Sequence, residues 1–318
     1  LSTTGWNRVS SWKYCRAVDG RCLIVLISII IRTHNEEGYL EELLAAIRRQ
    51  QGVWDDMETI IVDSGSTDRT LPIAEAFGCR ITHISKKDFT FGRSLNRGCA
   101  FSRGEILVFI SGHCVPAGTA WLNRLIDPLL NGFAVYSYGR QMGRDTTRFS
   151  EYQVFEKYYP PDSKIPQEGF FCNNANAALL KSVWLETRFN EDLTGLEDMH
   201  LARMLVERNL AIAYIAEATV YHIHNESWKS IRLRYERESL ALQKIMPEVH
   251  IGLLDVIRYY LAAVMHDLEV AAKRKVLLAE IRGIVIFRLM QYWGTFRGNH
   301  RHRKLSARKR EAYFYPKN

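Results

Sequence analysis

Four short apolar runs, Leu26 to Ile31, Glu58 to Val62, Ile81 to Ile84 and Glu105 to Ile110, constrain this chain more than any other feature. Each has the length of a buried strand, and stretches of helical spacing separate them. Between the first two, Tyr39, Leu40, Leu43, Leu44 and Ile47 recur at the interval of one helix face over Glu36 to Gln51. Further helices are expected over Thr70 to Phe77 and around Gly92 to Ser102. Strands alternating with helices at this spacing imply right-handed βαβ units and a parallel sheet. Ligands of such sheets bind beyond the carboxyl ends of the strands. The polar clusters Thr33-His34-Asn35-Glu36, Asp63 and Ser111-Gly112-His113 fall at those ends, so three loops converge on one edge.

Further along, a helix is expected over Trp121 to Leu130 and strands over Ala134 to Gly139 and Ala211 to Ile215. Helices are also expected to start at Lys181 and at Glu197, and the Tyr- and Pro-rich stretch from Tyr152 to Pro166 reads as a mobile loop. From residue 226 the pattern turns helical and basic. The resulting division is an extension at 1–22, an α/β domain at 23–225 and a mainly helical C-terminal extension at 226–318. At 318 residues and 47% hydrophobic content the chain can bury a large core, which argues against a disordered or fibrous protein. No run of about 18 apolar residues is present to suggest a spanning helix. A signal-peptide reading of Leu23 to Ile31 fails because Arg32, His34, Glu36 and Glu37 stand where a small-residue cleavage site belongs. The six cysteines are scattered without a CxxC pair, which fits a reducing cytosol better than a disulfide framework or a zinc site.

Three blocks, Ile29-Ile-Ile-Arg-Thr-His-Asn-Glu36, Ile61-Val-Asp-Ser-Gly-Ser-Thr-Asp68 and Thr194-Gly-Leu-Glu-Asp198, stand in order along the chain. Together they resemble the signature blocks of glycosyltransferase family 2, the inverting enzymes of GT-A fold. Phe89-Thr-Phe-Gly-Arg-Ser-Leu-Asn96 and Gln291-Tyr-Trp-Gly-Thr-Phe-Arg-Gly298 are similar to stretches of its rhamnosyltransferase-like members. The resemblance implies a GT-A, Rossmann-like nucleotide-diphospho-sugar transferase domain. It also implies a UDP- or dTDP-sugar donor, with dTDP-rhamnose as first expectation, and a saccharide or lipid-linked acceptor in cell-envelope polysaccharide synthesis.

The residues support that chemistry on their own terms. Thr33, Asn35 and Glu36 sit where a loop leaves a strand and can reach a nucleoside, and Asp63 can accept the imide N–H of uracil or thymine. Arg93 and Asn96, near a helix start, are candidates for the diphosphate, their plain alternative being a surface arginine and a capping asparagine. Inversion requires a base for the acceptor hydroxyl, and a carboxylate at a helix start can serve. By resemblance that base is Asp198, with Glu197 orienting the acceptor; the plain alternative is two acidic residues favouring a helix dipole. Asn173 and Asn174 are candidates for the acceptor site.

One departure stands out. Most members carry Asp-x-Asp for a divalent cation where this chain has Ser111-Gly112-His113. Ser111 removes one carboxylate, and His113 offers a nitrogen that suits Mn²⁺ better than Mg²⁺. Joined by His222 or His224, His113 can form a cation site; otherwise Arg and Lys must neutralise the diphosphate. The departure also raises a second reading, a catalytically impaired GT-A-like binding or scaffold protein, against which Asp63, Glu197 and Asp198 argue. A nucleotidyltransferase would carry a Gly-rich basic loop after the first strand. A nucleic-acid role would rest only on the tail of Arg297, Arg301, Arg303, Lys304, Arg308, Lys309 and Arg310, and is not expected. The same tail suits peripheral contact with anionic headgroups on the inner face of a membrane; the plainer reading, which is preferred, is a helical cap packed on the α/β domain with the basic tail as a solvated face.

Overall fold

The computed structural model describes residues 6–9, 13–18, 21–51, 57–300 and 307–316. Arg301, Arg303 and Lys304 of the basic tail lie outside them. The chain divides into two compact units, one of residues 1–142, 159–191 and 197–222, the other of 143–158, 192–196 and 223–318. The last crossing lies between residues 222 and 223, and the two short excursions at 143–158 and 192–196 leave no mark in the hydrophobic pattern.

The first unit begins with a three-stranded antiparallel sheet of β1 (Trp6–Val9), β2 (Lys13–Val18) and β3 (Arg21–Ile24), in a stretch where the sequence shows no periodicity. Its main sheet follows. β4 (Ile27–Thr33) pairs in parallel with β5 (Met57–Asp63) and with β7 (Ile106–Ser111), and β6 (Arg80–His83) extends the sheet beyond β5. The connecting helices α1 (Glu37–Arg48), α2 (Thr70–Ala76) and α3 (Phe91–Phe101) are the βαβ crossovers that the spacing predicts, and α4 (Trp121–Leu130) and α6 (Lys181–Glu186) follow further along the unit. The wholly parallel sheet is not found. β10 (Asn176–Leu180) runs antiparallel to both β7 and β9 (Tyr136–Met142), while β11 (Ile212–His222) is parallel to β9 and antiparallel to β8 (Cys114–Pro116). The order is β6-β5-β4-β7-β10-β9-β11-β8. The reversal after β7 is invisible in a pattern of apolar runs, because buried strands of either direction look alike.

Ile27, Ile29, Ile31, Ile106, Val108 and Ile110 pack with Leu40, Leu43 and Leu44 of α1 in one core. A buried charge lies on the opposite face of the sheet. Glu58 on β5 accepts from Ser28 Oγ at 2.6 Å and the Arg103 amide at 2.6 Å and pairs with Arg80. Burial alone would raise its pKa, but these donors outweigh it and hold the carboxyl at about 2. Register then aligns the functional edge: Thr33 lies opposite Asp63, and Arg32 opposite Ser111.

The second unit is helical: α5 (Phe149–Tyr158), α8 (Trp228–Ile245), α9 (Leu253–Lys273), α10 (Leu277–Asn299) and α11 (Ala307–Phe314). Helix α5 occupies the first part of the stretch expected as a loop, with Ser150, Glu151, Gln153 and Phe155 buried. α10 lies on α8 through Gly294 and Gly298. A Cβ at Gly294 would sit 2.4 Å from the Arg232 carbonyl, and one at Gly298 would sit 2.3 Å from that of Glu236. These are the two glycines of the Gln291 to Gly298 stretch, and they let two helix backbones touch. No helix among the described residues is long and apolar enough to cross a membrane.

Candidate active site

The loop after β5 is organised around Asp63, which is 1% exposed. Its carboxylate accepts from Thr33 Oγ1 at 3.2 Å, from the Gly65 and Ser66 amides at 2.8 and 3.0 Å, and from Ser66 Oγ. Four donors on two oxygens use the capacity of a carboxylate. In this conformation Asp63 therefore shapes the loop, and Thr33 braces it. Asn35, at φ 57°, accepts the Thr67 amide at 2.8 Å on Oδ1 and donates its own N–H to Ser66 Oγ. Asp68 accepts the amides of Thr70 and Glu37, tying the start of α2 to that of α1. The first two signature blocks are thus stitched into one rigid rim.

Glu36 connects that rim to the loop after β7. Its carboxylate lies 3.0 Å from His113 Nδ1, and the His113 ring stacks on His222 at 5.1 Å between centroids. His222 Nδ1 in turn lies 2.6 Å from Gln141 Oε1. Gly112 makes this arrangement fit: a Cβ there would come within 2.8 Å of Glu36 Cγ and 3.3 Å of the Arg32 carbonyl. Gly112→Ala is expected to push Glu36 off His113, lowering turnover at least about tenfold, with an overpacking cost of about 1–3 kcal/mol in stability. Unchanged turnover would show that the Glu36–His113 contact is dispensable.

His224 belongs to the second unit, where its Nδ1 meets Glu151 Oε1 at 2.7 Å. Arg234 contacts the same oxygen at 2.6 Å and Glu226 at 2.9 Å. Burial opposes the charge on Glu151, but Arg234 and His224 outweigh it and hold the carboxyl at about 2. Glu151, His224 and Glu226 have ligand-like spacing, and the cation already among them is the Arg234 guanidinium.

The acidic pair opens α7 (Glu197–Glu207) after Leu196 at φ 57°. Glu197 meets Arg32 Nη1 at 3.4 Å, and Arg32 also lies over the Phe91 ring at 4.8 Å. Asp198, 7% exposed, accepts the Asn174 amide on Oδ2 and the Met199 amide on Oδ1, each at 2.8 Å. Burial, then the charge of neighbouring Glu197, pushes its carboxyl up to about 7 despite those two amides and Arg32. A carboxyl held near neutrality can take up and release a proton at working pH.

Other candidates are committed to the fold. Asn96 donates to the Phe189 carbonyl and Glu191 and accepts from Trp184 Nε1 and the Phe189 amide, so its side chain is spent clipping α3 to the 184–191 segment. Arg93 pairs with Glu191 at 3.0 Å and the Asp88 carbonyl at 2.8 Å, as a structural arginine would. Asn174 is 2% exposed and accepts from Tyr136 OH, so its backbone rather than its amide group serves Asp198. Asn173 Oδ1 accepts the Ala175 amide, and Ser111 marks the end of β7. Arg32 and Gln141 were not anticipated. An arginine at the carboxyl end of an otherwise apolar strand was the available signal for the first; Gln141 leaves none.

A sheet of this order, with a carboxylate pair and polar loops at the ends of its parallel strands, defines a transferase domain of GT-A fold. The family model for glycosyl transferase family 2 matches residues 28–187, and the chain belongs to that family. It is 28% identical over 225 residues to the O-antigen chain rhamnosyltransferase RfbN of Salmonella typhimurium, covering 66% of this chain and 70% of that protein. It is 26% identical to the O-antigen chain rhamnosyltransferase WbaN of Salmonella anatum, covering 56% of this chain and 60% of that one. Among solved structures, the mannosyltransferase PcManGT of Pyrobaculum calidifontis, in complex with GDP-Man and Mn²⁺, superposes with a TM-score of 0.59 at 16% identity, over 92% of this chain and 88% of that one. Glucosyl-3-phosphoglycerate synthase of Mycobacterium tuberculosis, with Mn²⁺, UDP and glucosyl-3-phosphoglycerate, gives 0.53 at 22% identity, over 70% and 80%. These structural likenesses show the fold. The chain is a glycosyltransferase with rhamnosyltransferase-like relatives.

Proposed function

We propose that this enzyme transfers a deoxyhexose, rhamnose in the first instance, from a dTDP- or UDP-sugar to a saccharide or lipid-linked acceptor in polysaccharide synthesis, with inversion at the anomeric carbon. The observation that carries the reading is Asp198, a buried carboxyl at a helix start whose proton affinity is tuned towards neutrality. In this reading Asp198 takes the acceptor hydroxyl's proton as its oxygen attacks opposite the departing diphosphate. Glu197, held on Arg32, fixes the acceptor beside it. The similarity to two O-antigen rhamnosyltransferases supports the sugar and the pathway.

A divalent cation, when bound, would neutralise the leaving diphosphate. His113 and His222 fit it as nitrogen donors: each has Nδ1 engaged by an oxygen, from Glu36 and Gln141, which is how ligating imidazoles are oriented to present Nε2. Nitrogen ligands favour Mn²⁺ over Mg²⁺, and the mannosyltransferase of the same fold was solved with Mn²⁺. The scaffold reading rests on the missing Asp-x-Asp alone, and the two oriented histidines weaken it.

The test is turnover and binding with a panel of dTDP-, UDP- and GDP-sugars, with EDTA, Mg²⁺ or Mn²⁺ added. Turnover with one pyrimidine donor, abolished by EDTA and restored best by Mn²⁺, is expected. His113→Ala should weaken Mn²⁺ activation about 10–100-fold. Turnover indifferent to both EDTA and His113→Ala would reject the cation. Preference for GDP-sugars would reject the pyrimidine assignment, and failure to bind any donor would leave the scaffold.

A further inference from the structure

The second unit leaves an apolar seam uncovered. On α9, Leu254 is 81% and Met265 65% exposed, with Ile257 and Leu261 between them also exposed. The spacing 254, 257, 261, 265 keeps all four on one helix face. On α10, Leu278 is 93% exposed and Ile281 follows it one turn later. The inward face of α9 is separate, formed by Val256, Val264, Asp267 and Ala271. Single exposed leucines are ordinary, but a continuous row on one helix, with two more at the head of the next, is not.

Charge says what covers the seam. Residues 226–318 hold 19 Lys and Arg against nine Asp and Glu, a balance of +10, while the whole chain is only +8. The remaining 225 residues are therefore slightly acidic, and the positive character of the protein is confined to the region that carries the seam. Arg258 stands beside Ile257, Arg282 beside Ile281, and Lys273-Arg274-Lys275 forms the turn joining the two helices. Leu278 lies three residues beyond that basic turn. Lys273 pairs with Glu269 and Arg274 with Glu156; apolar side chains bordered by further cations such as Arg258, Lys275 and Arg282 are the composition of a helix lying in a headgroup layer. They oppose a second copy of the chain, which would bring like charges together.

We propose that the α9–α10 hairpin is an interfacial anchor, its seam entering the headgroup boundary of an anionic bilayer while Arg258, Lys275 and Arg282 meet lipid phosphates. The helices lie on the bilayer and do not cross it, consistent with the absence of any spanning helix among the described residues. This inference is independent of the donor and the base.

Flotation of the whole protein with phosphatidylcholine vesicles, with and without phosphatidylglycerol, tests it. Binding to the anionic vesicles that weakens as salt is raised is expected, with little binding to phosphatidylcholine alone. The triple variant Leu254→Gln, Met265→Gln, Leu278→Gln removes only exposed side chains, so it should keep the circular dichroism and melting curve while binding at least about 30-fold more weakly. The variant Arg258→Gln, Lys275→Gln, Arg282→Gln should flatten the salt dependence. Absence of wild-type binding, or equal binding by the triple variant, would overturn the proposal. So would a dimer in free solution that the triple variant dissociates, which would assign the seam to a second copy.

Discussion

Asp198→Asn is expected to lower sugar transfer by about 10²–10⁴-fold, the usual contribution of a positioned base, while donor affinity changes by less than about threefold, because only the transition state loses an interaction. The control for folding matters. Both carboxylate oxygens of Asp198 accept backbone amides, and an asparagine has one carbonyl oxygen, so one N–H loses its partner at about 1–3 kcal/mol. A melting curve distinguishes that modest cost from a collapse of the Asn174 loop. The pH profile is the sharper readout. With its carboxyl pushed up to about 7 by burial and by Glu197, the base is protonated in acid, so turnover should rise with pH through an apparent pKa near 7 that belongs to the Glu197–Asp198 pair. Stability should run the other way. Between the ordinary value of 3.8 and about 7 the folded protein keeps a proton that the unfolded chain has released, so this contribution is complete below the window and is lost as pH rises through it. The asparagine variant should lose both dependences. A variant within tenfold of wild type, or with the same ascending limb, would remove Asp198 from the role of base.

The parallel half of the sheet and its functional edge are legible in the sequence because they depend on local signals. Apolar runs of strand length, helices of one-face periodicity and polar residues at strand ends need no knowledge of distant partners. The reversal at β10 is different in kind. Direction is set by which neighbour a buried strand meets, and Asn176 to Leu180 reads the same either way. The same limit applies at the candidate site. Glu197 and Asp198 are recognised as a carboxylate pair at a helix start, whereas nothing local says that Arg32 will face Glu197 or that Asn174 will give its amide N–H to Asp198. Asn96 shows the opposite case. It stands in a block that resembles those of rhamnosyltransferase-like members, and its hydrogen-bonding capacity is taken up by Trp184, Phe189 and Glu191, partners about ninety residues away. A block that resembles a family's can therefore reflect a packing requirement as readily as a ligand. In the helical unit, the glycines at 294 and 298 are plain to see, but their purpose emerges only when α8 is laid against α10.

Asp267→Ala is expected to cost about 3–5 kcal/mol, because it strands a buried guanidinium. Asp267 is fully buried on α9, and its carboxylate takes two hydrogen bonds from Arg288 of α10, at 2.7 and 2.8 Å. Arg288 donates a third to Gln291 Oε1 at 2.8 Å. Val264, Ala271 and Ile284 form an apolar cluster in the same helix pair, so the ion pair has little water to fall back on. The size of the single-variant loss does not measure what the pair contributes, since removing one partner leaves the other charged in a dry place. The double variant Asp267→Leu, Arg288→Met separates the two quantities. If it melts near wild type while either single variant does not, the pair adds little net stability, and its value lies in register: the native alignment of α9 and α10 is the one that joins the buried Asp267 to Arg288. Urea titrations supply the free energies, and vesicle flotation of the same double variant supplies the register readout. A stable double variant that binds anionic vesicles less well than wild type would show that the buried pair fixes where the exposed seam lies. A stable double variant that binds equally well would show that apolar packing alone sets that position.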